Sequence, residues 1–258
     1  MSIIKNSEKS LRPDVMLRME REVEAEQCRR SAHHFIFDSG KLVTKDEHDQ
    51  RNPVKPFPGL PYQRSFLDCL LVSGRIISPE DARWALEVGH SIEWLTALYR
   101  TARFATEKSR QVMATWLVCA YLLWRAKHLE HQLIILQSKK EEDAANMVFC
   151  KEPFVARISF MESHLPKHLR SCSFPKAGAF GHLYFPNGSH IWAVPEGGEI
   201  LRSNTPSVWF SDESAYQPEF GKAYTAALPA ITGGGQGILL SSAEPGEYQQ
   251  LVEAEVAA

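Results

Sequence analysis

The sequence predicts an α/β fold: a mostly parallel central sheet flanked by helices, preceded by a helical N-terminal extension. Three observations point there. Short apolar runs (HQLIILQS, PSVWFSDE, GGGQGILLSSA) alternate with segments of helical periodicity, the pattern of strand–helix–strand units. The runs are apolar on successive residues, as strands covered on both faces require. The 258 residues, 44% hydrophobic and 23% charged, are ordinary globular usage and enough chain to bury a core without metal or disulfide staples.

Taken in order, residues 1–31 carry dense charge of both signs. Leu11, Val15, Met16, Met19 and Val23 fall near helical spacing, which predicts a solvated amphipathic helix. RNPVKPFPGLP at 51–61 holds four prolines and reads as an extended linker or turn, because proline fixes φ and cannot donate to a ladder. The domain boundary is placed there: 1–56 as extension and linker, 57–258 as the main domain. SPEDARWALEVGHSIEWLTALYR starts a helix with Ser78 as N-cap, Pro79 at the first position and acids in the first turn. ARFATEK is a short strand. VMATWLVCAYLLWRAKHL is a helix apolar on most sides and therefore buried. HQLIILQS is a buried strand and KKEEDAANMVFC a helix. GHLYFPNGSHIWAVP is a hairpin about Asn187-Gly188, a pair suited to a type I′ turn. PSVWFSDE is a strand ending in acids, and GGGQGILLSSA a strand entered from a flexible loop.

Charge and composition exclude several classes. The formal net charge of −2 argues against a chain coated in positive charge, while leaving room for a local basic groove or a ring lumen. The longest apolar run, Trp116 to Trp124, is too short to span a membrane. The N-terminus has no apolar signal region. Five cysteines without a CxxC pair suggest free thiols in a reducing compartment.

The sharpest chemical feature is VWFSDE. A buried parallel strand would eject Asp212 and Glu213 at its carboxyl end, where ligands of open α/β sheets bind. Asp212 would hold a magnesium shell and Glu213 would polarise an attacking water as general base. The plain alternative is an acidic turn. The second feature is KSRQVMAT, Lys108 to Thr115, between a strand and a buried helix, the setting in which backbone amides cradle phosphates. Aligned on Thr115, the ordinary G-x-x-x-x-G-K-[ST] pattern finds Lys108 and Met113 in place of its glycines and Ala114 in place of its lysine. What survives is a hydroxyl for Mg²⁺ and two cations, Lys108 and Arg110, at the loop start. The alternative is a charged loop capping a helix. Gln63 could read an adenine edge with its two-way amide. Ser241 and Ser242 end the last strand, where small hydroxyls can sense a phosphate.

In order, PYQ, KSRQxMxTW, a hairpin of the FPNGS type, an arginine before an apolar strand ending DE, and a Ser-rich strand end resemble the ATPase domain of phage terminase large subunits. The resemblance covers roughly residues 57–248. It implies a P-loop NTPase of the additional-strand type, with ATP and Mg²⁺ as cofactors, that drives double-stranded DNA into a procapsid. On that resemblance Lys108, Ser109, Arg110, Gln111, Val112, Met113, Ala114 and Thr115 form the phosphate loop. Asp212 and Glu213 form the Walker B pair, and Thr115 with Asp212 holds Mg²⁺. Gln63 contacts adenine, and Ser241, Ser242 and Ala243 form the coupling motif. Arg202, ten residues before Asp212, stands where a finger from the neighbouring subunit is expected, with Arg157 and Arg170 as rivals. Also implied are a homo-oligomeric ring, expected to be a pentamer, a portal protein, a small terminase subunit, the host cytoplasm and no membrane. The family's C-terminal nuclease is expected to be absent from this chain, and no nuclease activity with it.

Two competitors stay open: a helicase-like nucleic-acid-dependent ATPase, and a nucleotide-binding structural subunit with little hydrolysis. Other features are read as ordinary. His164, His168 and Cys172 have ligand-like spacing, but Pro166 interrupts it. His33-His34 reads as surface, and Cys119 as a small hydrophobe. Arg157, Lys167, Arg170 and Lys176 make the best local basic patch, facing DNA, a neighbouring subunit or only solvent.

Overall fold

The structure is a computed structural model that describes residues 12–46, 49–109, 113–148, 156–170 and 181–256. Its elements are α1 (Pro13–Arg30), a π-helical turn (His34–Asp38), β1 (Val43–Lys45), β2 (Val54–Pro56), α2 (Pro61–Ser73), α3 (Pro79–Glu87), α4 (Ile92–Thr101), β3 (Arg103–Glu107), α5 (Ala114–His128), β4 (Leu133–Gln137), α6 (Glu141–Val148), α7 (Arg157–His164), β5 (His182–Tyr184), β6 (His190–Val194), α8 (Glu199–Ser203), β7 (Val208–Asp212), a 3-10 turn (Ser214–Tyr216), α9 (Phe220–Thr232), β8 (Gln236–Ser241) and α10 (Glu247–Val256). No helix among the described residues is long and apolar enough to cross a membrane.

The expected sheet is present. Among the described residues it has six strands in the order β3-β8-β7-β4-β6-β5, with β1 and β2 as a separate antiparallel ribbon. Every pairing in the large sheet is parallel except β5 with β6. β7 and β8 are buried at every residue, which explains the consecutive apolar residues 208–210 and 238–240. Successive side chains point to opposite faces. Val208, Phe210, Ile238 and Leu240 therefore pack with α2 and α5, whereas Trp209 and Leu239 pack with α9 and Tyr248 of α10. α5 crosses the first of these cores with Leu117 to Ala126 all buried, which is why its sequence shows no polar face.

Two expectations are refined, for the helix that Ser78 caps and for the solvated helix α1, and two are corrected, for the turn at 187–188 and for His33. The segment after Ser78 forms two helices. Ser91 acts as a second N-cap, accepting the Trp94 N–H at 3.1 Å, and restarts the chain as α4. The hairpin turn is not type I′, which needs positive φ at both central residues. Pro186 precedes Asn187-Gly188, Gly188 alone of the turn has positive φ (81°), and its N–H bonds to the Phe185 carbonyl at 3.1 Å. A proline-led turn with a left-handed glycine after it satisfies the same strands. On α1, Met16, Met19 and Val23 stay exposed, and the helix is anchored instead by Cys28 at its last turn, whose carbonyl accepts the Trp124 indole N–H at 2.9 Å. Leu11 lies outside the described residues. Finally, His33 is buried, not surface, and its Nε2 lies 2.8 Å from the buried Asp68 carboxylate. Cys28, Phe35, Ile36 and Leu42 share one core with α5, so α1 and the π-helical turn pack directly on the sheet-covering helices.

Candidate functional site

Three parallel strands end side by side. Glu107 of β3 is in register with Ser241 of β8, and Asp212 of β7 with Leu240. One residue further, the Lys108 N–H donates to the Ser241 carbonyl at 2.8 Å, so β3 stays tied to β8 to the start of the phosphate-loop candidate. β8 lies between the strand that enters this loop and the strand that ends in acids. The loop returns to the sheet at α5, whose first turn carries Thr115.

The side chains of Lys108, Thr115, Asp212 and Glu213 converge there. The Lys108 ammonium donates to Thr115 Oγ1 at 2.8 Å and to Asp212 Oδ1 at 3.0 Å, and lies 3.4 Å from Glu213 Oε1. Thr115 Oγ1 is 3.3 Å from Asp212 Oδ1 and 3.1 Å from Oδ2. The Lys108 and Asp212 side chains are 13% and 12% exposed, so little water screens the pair, while Glu213 at 37% is reachable from solvent. Arg110, Gln111 and Val112 lie outside the described residues. Ser109 is exposed and Ala114 buried.

Two non-glycine residues with positive φ flank this cluster. Met113, the N-cap of α5, has φ 56°, and Glu213 has φ 54°. Met113 thus holds the conformation that glycine adopts freely, at the position where the ordinary pattern has its second glycine. Such backbone costs on the order of 1–3 kcal/mol and persists only where surrounding contacts fix it. Around Glu213 those contacts are visible. Ser214 Oγ donates to the Ser211 carbonyl at 3.1 Å, Gln217 Nε2 donates to Ser211 Oγ and to the Asp212 carbonyl, each at 2.9 Å, and the Ala215 N–H donates to Ser241 Oγ at 3.1 Å. Ser214 and Gln217 were not singled out in the sequence. Ser211, a hydroxyl inside a strand with no other polar residue before the acids, was the one local signal, since a buried polar group needs a partner.

The remaining candidates are placed as follows. Ser241 is buried and joins the loop (through its carbonyl) to the Glu213 turn (through its hydroxyl). Ser242 is half-buried. The exposed Ala243 lines a cavity of about 460 Å³ with Glu107, Glu244, Pro245, Gln249, Val252 and Glu253. Gln63 is buried on the first turn of α2, and its Oε1 accepts the Leu60 N–H at 3.0 Å. One half of its amide is therefore engaged, and Nε2 has no hydrogen-bond partner among the described residues. Its two Nε2 N–H donors and the second lone pair of Oε1 are thus left for a further contact. No hydrogen bond among the described residues links Gln63 to the Lys108 cluster. Arg202 is exposed on α8 and makes no ion pair among the described residues. Arg157 lies over the Trp116 ring at 5.7 Å, and Arg170 Nε donates to the Leu165 carbonyl at 2.6 Å.

His164, His168 and Cys119 can also be placed. His168 pairs with Glu24 at 2.5 Å and His164 Nδ1 lies 2.8 Å from the Phe160 carbonyl, so the two rings turn to different partners. Cys172 and Lys176 lie outside the described residues. No group of three or more metal-ligating side chains of the His, Cys, Asp or Glu type occurs among the described residues. Burial pushes the Cys119 thiol up to about 12, which leaves it an inert hydrophobe.

No protein-family model and no curated protein matches the sequence. Among solved structures, the crystal structure of the HK97 bacteriophage large terminase is similar, with a TM-score of 0.42 and 16% sequence identity over 59% of this chain. This chain covers 33% of that protein's length.

The donor set fits a hard divalent cation. A hydroxyl and a carboxylate within 3.3 Å of each other, with a second carboxylate on the next residue, present oxygen ligands of the kind Mg²⁺ takes while keeping several waters. An ammonium adjacent to them can bind a phosphate oxygen.

Proposed function

We propose that this chain is the ATPase motor of a phage terminase large subunit, hydrolysing ATP to drive double-stranded DNA into a procapsid. The observation that carries the reading is the convergence of Lys108, Thr115, Asp212 and Glu213 from two distant segments onto one end of a parallel sheet. The strand order, with β8 inserted between the loop strand and the acid strand, supports the additional-strand type of P-loop fold. The terminase assignment itself rests on the ordered sequence motifs.

In this reading Thr115 and Asp212 hold Mg²⁺, which when bound would stabilise charge on the β- and γ-phosphates. Lys108 binds a phosphate oxygen as a point charge. Glu213, solvent-reachable and held by the 214–217 turn, orients water and accepts its proton. Ser241 links the loop start to the Glu213 turn through its carbonyl and hydroxyl, the physical content of a coupling motif. Arg202 acts on the site of a neighbouring copy, which its exposure on α8 permits. The working form is a ring of copies around duplex DNA, with a portal protein and a small terminase subunit as partners, in the host cytoplasm.

The test is phosphate release by the wild type and by Glu213→Gln, with and without DNA. The motor reading expects DNA-stimulated hydrolysis, slowed by about 10²–10⁴-fold in the variant. Nucleotide binding without phosphate release, in the presence of DNA and the packaging partners, would favour a structural subunit instead.

A further inference from the structure

We propose that the Lys108 ammonium occupies the metal-ion position of this site, so that the site accepts a divalent cation only together with a nucleotide. The inference rests on the nucleotide-site reading and deepens it by assigning Lys108 the control of metal entry.

The geometry is direct. The three oxygens offered to a hard cation, Thr115 Oγ1, Asp212 Oδ1 and Glu213 Oε1, all lie within 3.4 Å of Lys108 Nζ. An ammonium has three N–H donors, and this one has three oxygen neighbours. A Mg²⁺ ion bound to Thr115 and Asp212 would sit on the same oxygens and would repel the ammonium at close range, with little intervening water. Both cations cannot hold that place. The lysine also neutralises adjacent carboxylates that would otherwise repel each other across one strand end.

The backbone determines how the lysine leaves. Its N–H is fixed to the Ser241 carbonyl, so the loop start stays attached to β8 while the side chain moves. A four-carbon unbranched stem allows that movement. A free divalent ion supplies nothing to receive the displaced ammonium. A triphosphate does: its oxygens accept the lysine while its metal takes the oxygens the lysine released. Metal and nucleotide then bind with positive coupling, and Lys108 is the specificity-determining residue that rejects the metal alone.

The experiment uses Mn²⁺ as a paramagnetic substitute for Mg²⁺, titrated into the full chain and read from the free-Mn²⁺ resonance signal. Wild type, Lys108→Met and Lys108→Gln are compared with and without a non-hydrolysable ATP analogue. The expected result is weak Mn²⁺ binding by the wild type alone, tightened about tenfold or more by the analogue. Lys108→Met binds Mn²⁺ without the analogue about tenfold or more tighter than the wild type, and adding Asp212→Asn removes that gain. Melting curves establish that each variant is folded, and Lys108→Gln serves if Lys108→Met is not. Equal Mn²⁺ affinity of the wild type and a folded lysine variant, without nucleotide, overturns the proposal. If the lysine variants tighten Mn²⁺ but the analogue changes nothing in any chain, the competition between lysine and metal stands and the nucleotide reading falls.

Discussion

Thr115 and Asp212 come from segments 97 residues apart and meet within 3.3 Å. A substitution at either should therefore act on the same step. Asp212→Asn and Thr115→Val are expected to lower ATP hydrolysis by about 10²-fold or more each, with the double variant no worse than the poorer single one. Multiplicative loss would mean that the two residues work independently. Away from the site, His128 gives a pH prediction. Burial, with a smaller push from Lys127, holds its imidazole down at about 3, and its Nε2 has no hydrogen-bond partner among the described residues. The folded state thus refuses a proton that the unfolded state takes below about 6.5. The unfolded state binds more protons between those values, so stability falls as pH falls from about 6.5 to about 3. His128→Phe, which keeps an aromatic ring against Phe35, is expected to flatten that part of the stability–pH curve. Chemical denaturation at pH 7 and pH 5 checks it: an unchanged slope in the variant assigns the acid sensitivity elsewhere.

Among the elements, β8 has two ends with different tasks. At its carboxyl end, Ser241 bonds both to the loop start and to the Glu213 turn. Ser241→Ala removes only the hydroxyl contact. It is expected to lower kcat several-fold while leaving nucleotide affinity close to wild type, because the main-chain tie to Lys108 survives. A loss confined to affinity would contradict that division. At the amino end, Gln236 receives hydrogen bonds from Tyr121 and from the buried Arg125, at 2.7 and 2.8 Å. Gly74 packs on this network, where an added Cβ would come within 2.5 Å of the Tyr121 hydroxyl and 2.9 Å of Gln236 Oε1. Gly74→Ala is expected to cost about 1–3 kcal/mol in thermal or denaturant unfolding, since buried polar partners cannot separate freely. A cost near zero would show that the network has room to shift.

For the whole molecule, the proposed ring makes assembly the variable to test. If Arg202 completes a neighbour's site, hydrolysis per chain rises with protein concentration. Mixing Arg202→Ala with Glu213→Gln should then recover a measurable fraction of wild-type activity from two inactive preparations, because some interfaces pair an intact arginine with an intact glutamate. An in-trans arginine is worth about 10³–10⁵ in rate in other NTPases, so the recovery is readable above background. No recovery at concentrations where the wild type is active would place the arginine elsewhere, with Arg157 beside α5 the next to test.

How much of this was legible in the sequence follows from the range of each interaction. Strands β3, β4, β7 and β8, the 182–194 hairpin, helices α1, α3, α5 and α6 and the burial of α5 depend on nearest-neighbour pattern and were legible in the chain, whereas α2, α7, α9, α10 and the β1–β2 ribbon were not read from it. The break between α3 and α4 was also local, at Ser91, but the continuous apolar periodicity masked it. Other features depend on partners far along the chain. The burial of His33 needs Asp68, the exposure of Met16, Met19 and Val23 needs knowledge of which face of α1 meets α5, and the engagement of Gln63 depends on how α2 begins. The sequence by itself determined which residues carry charge and hydroxyls at the sheet's end. Only the tertiary structure decided that one lysine holds the oxygens a metal would need, because that contact is made by strand order, which joins β3, β8 and β7, and not by any spacing along the chain.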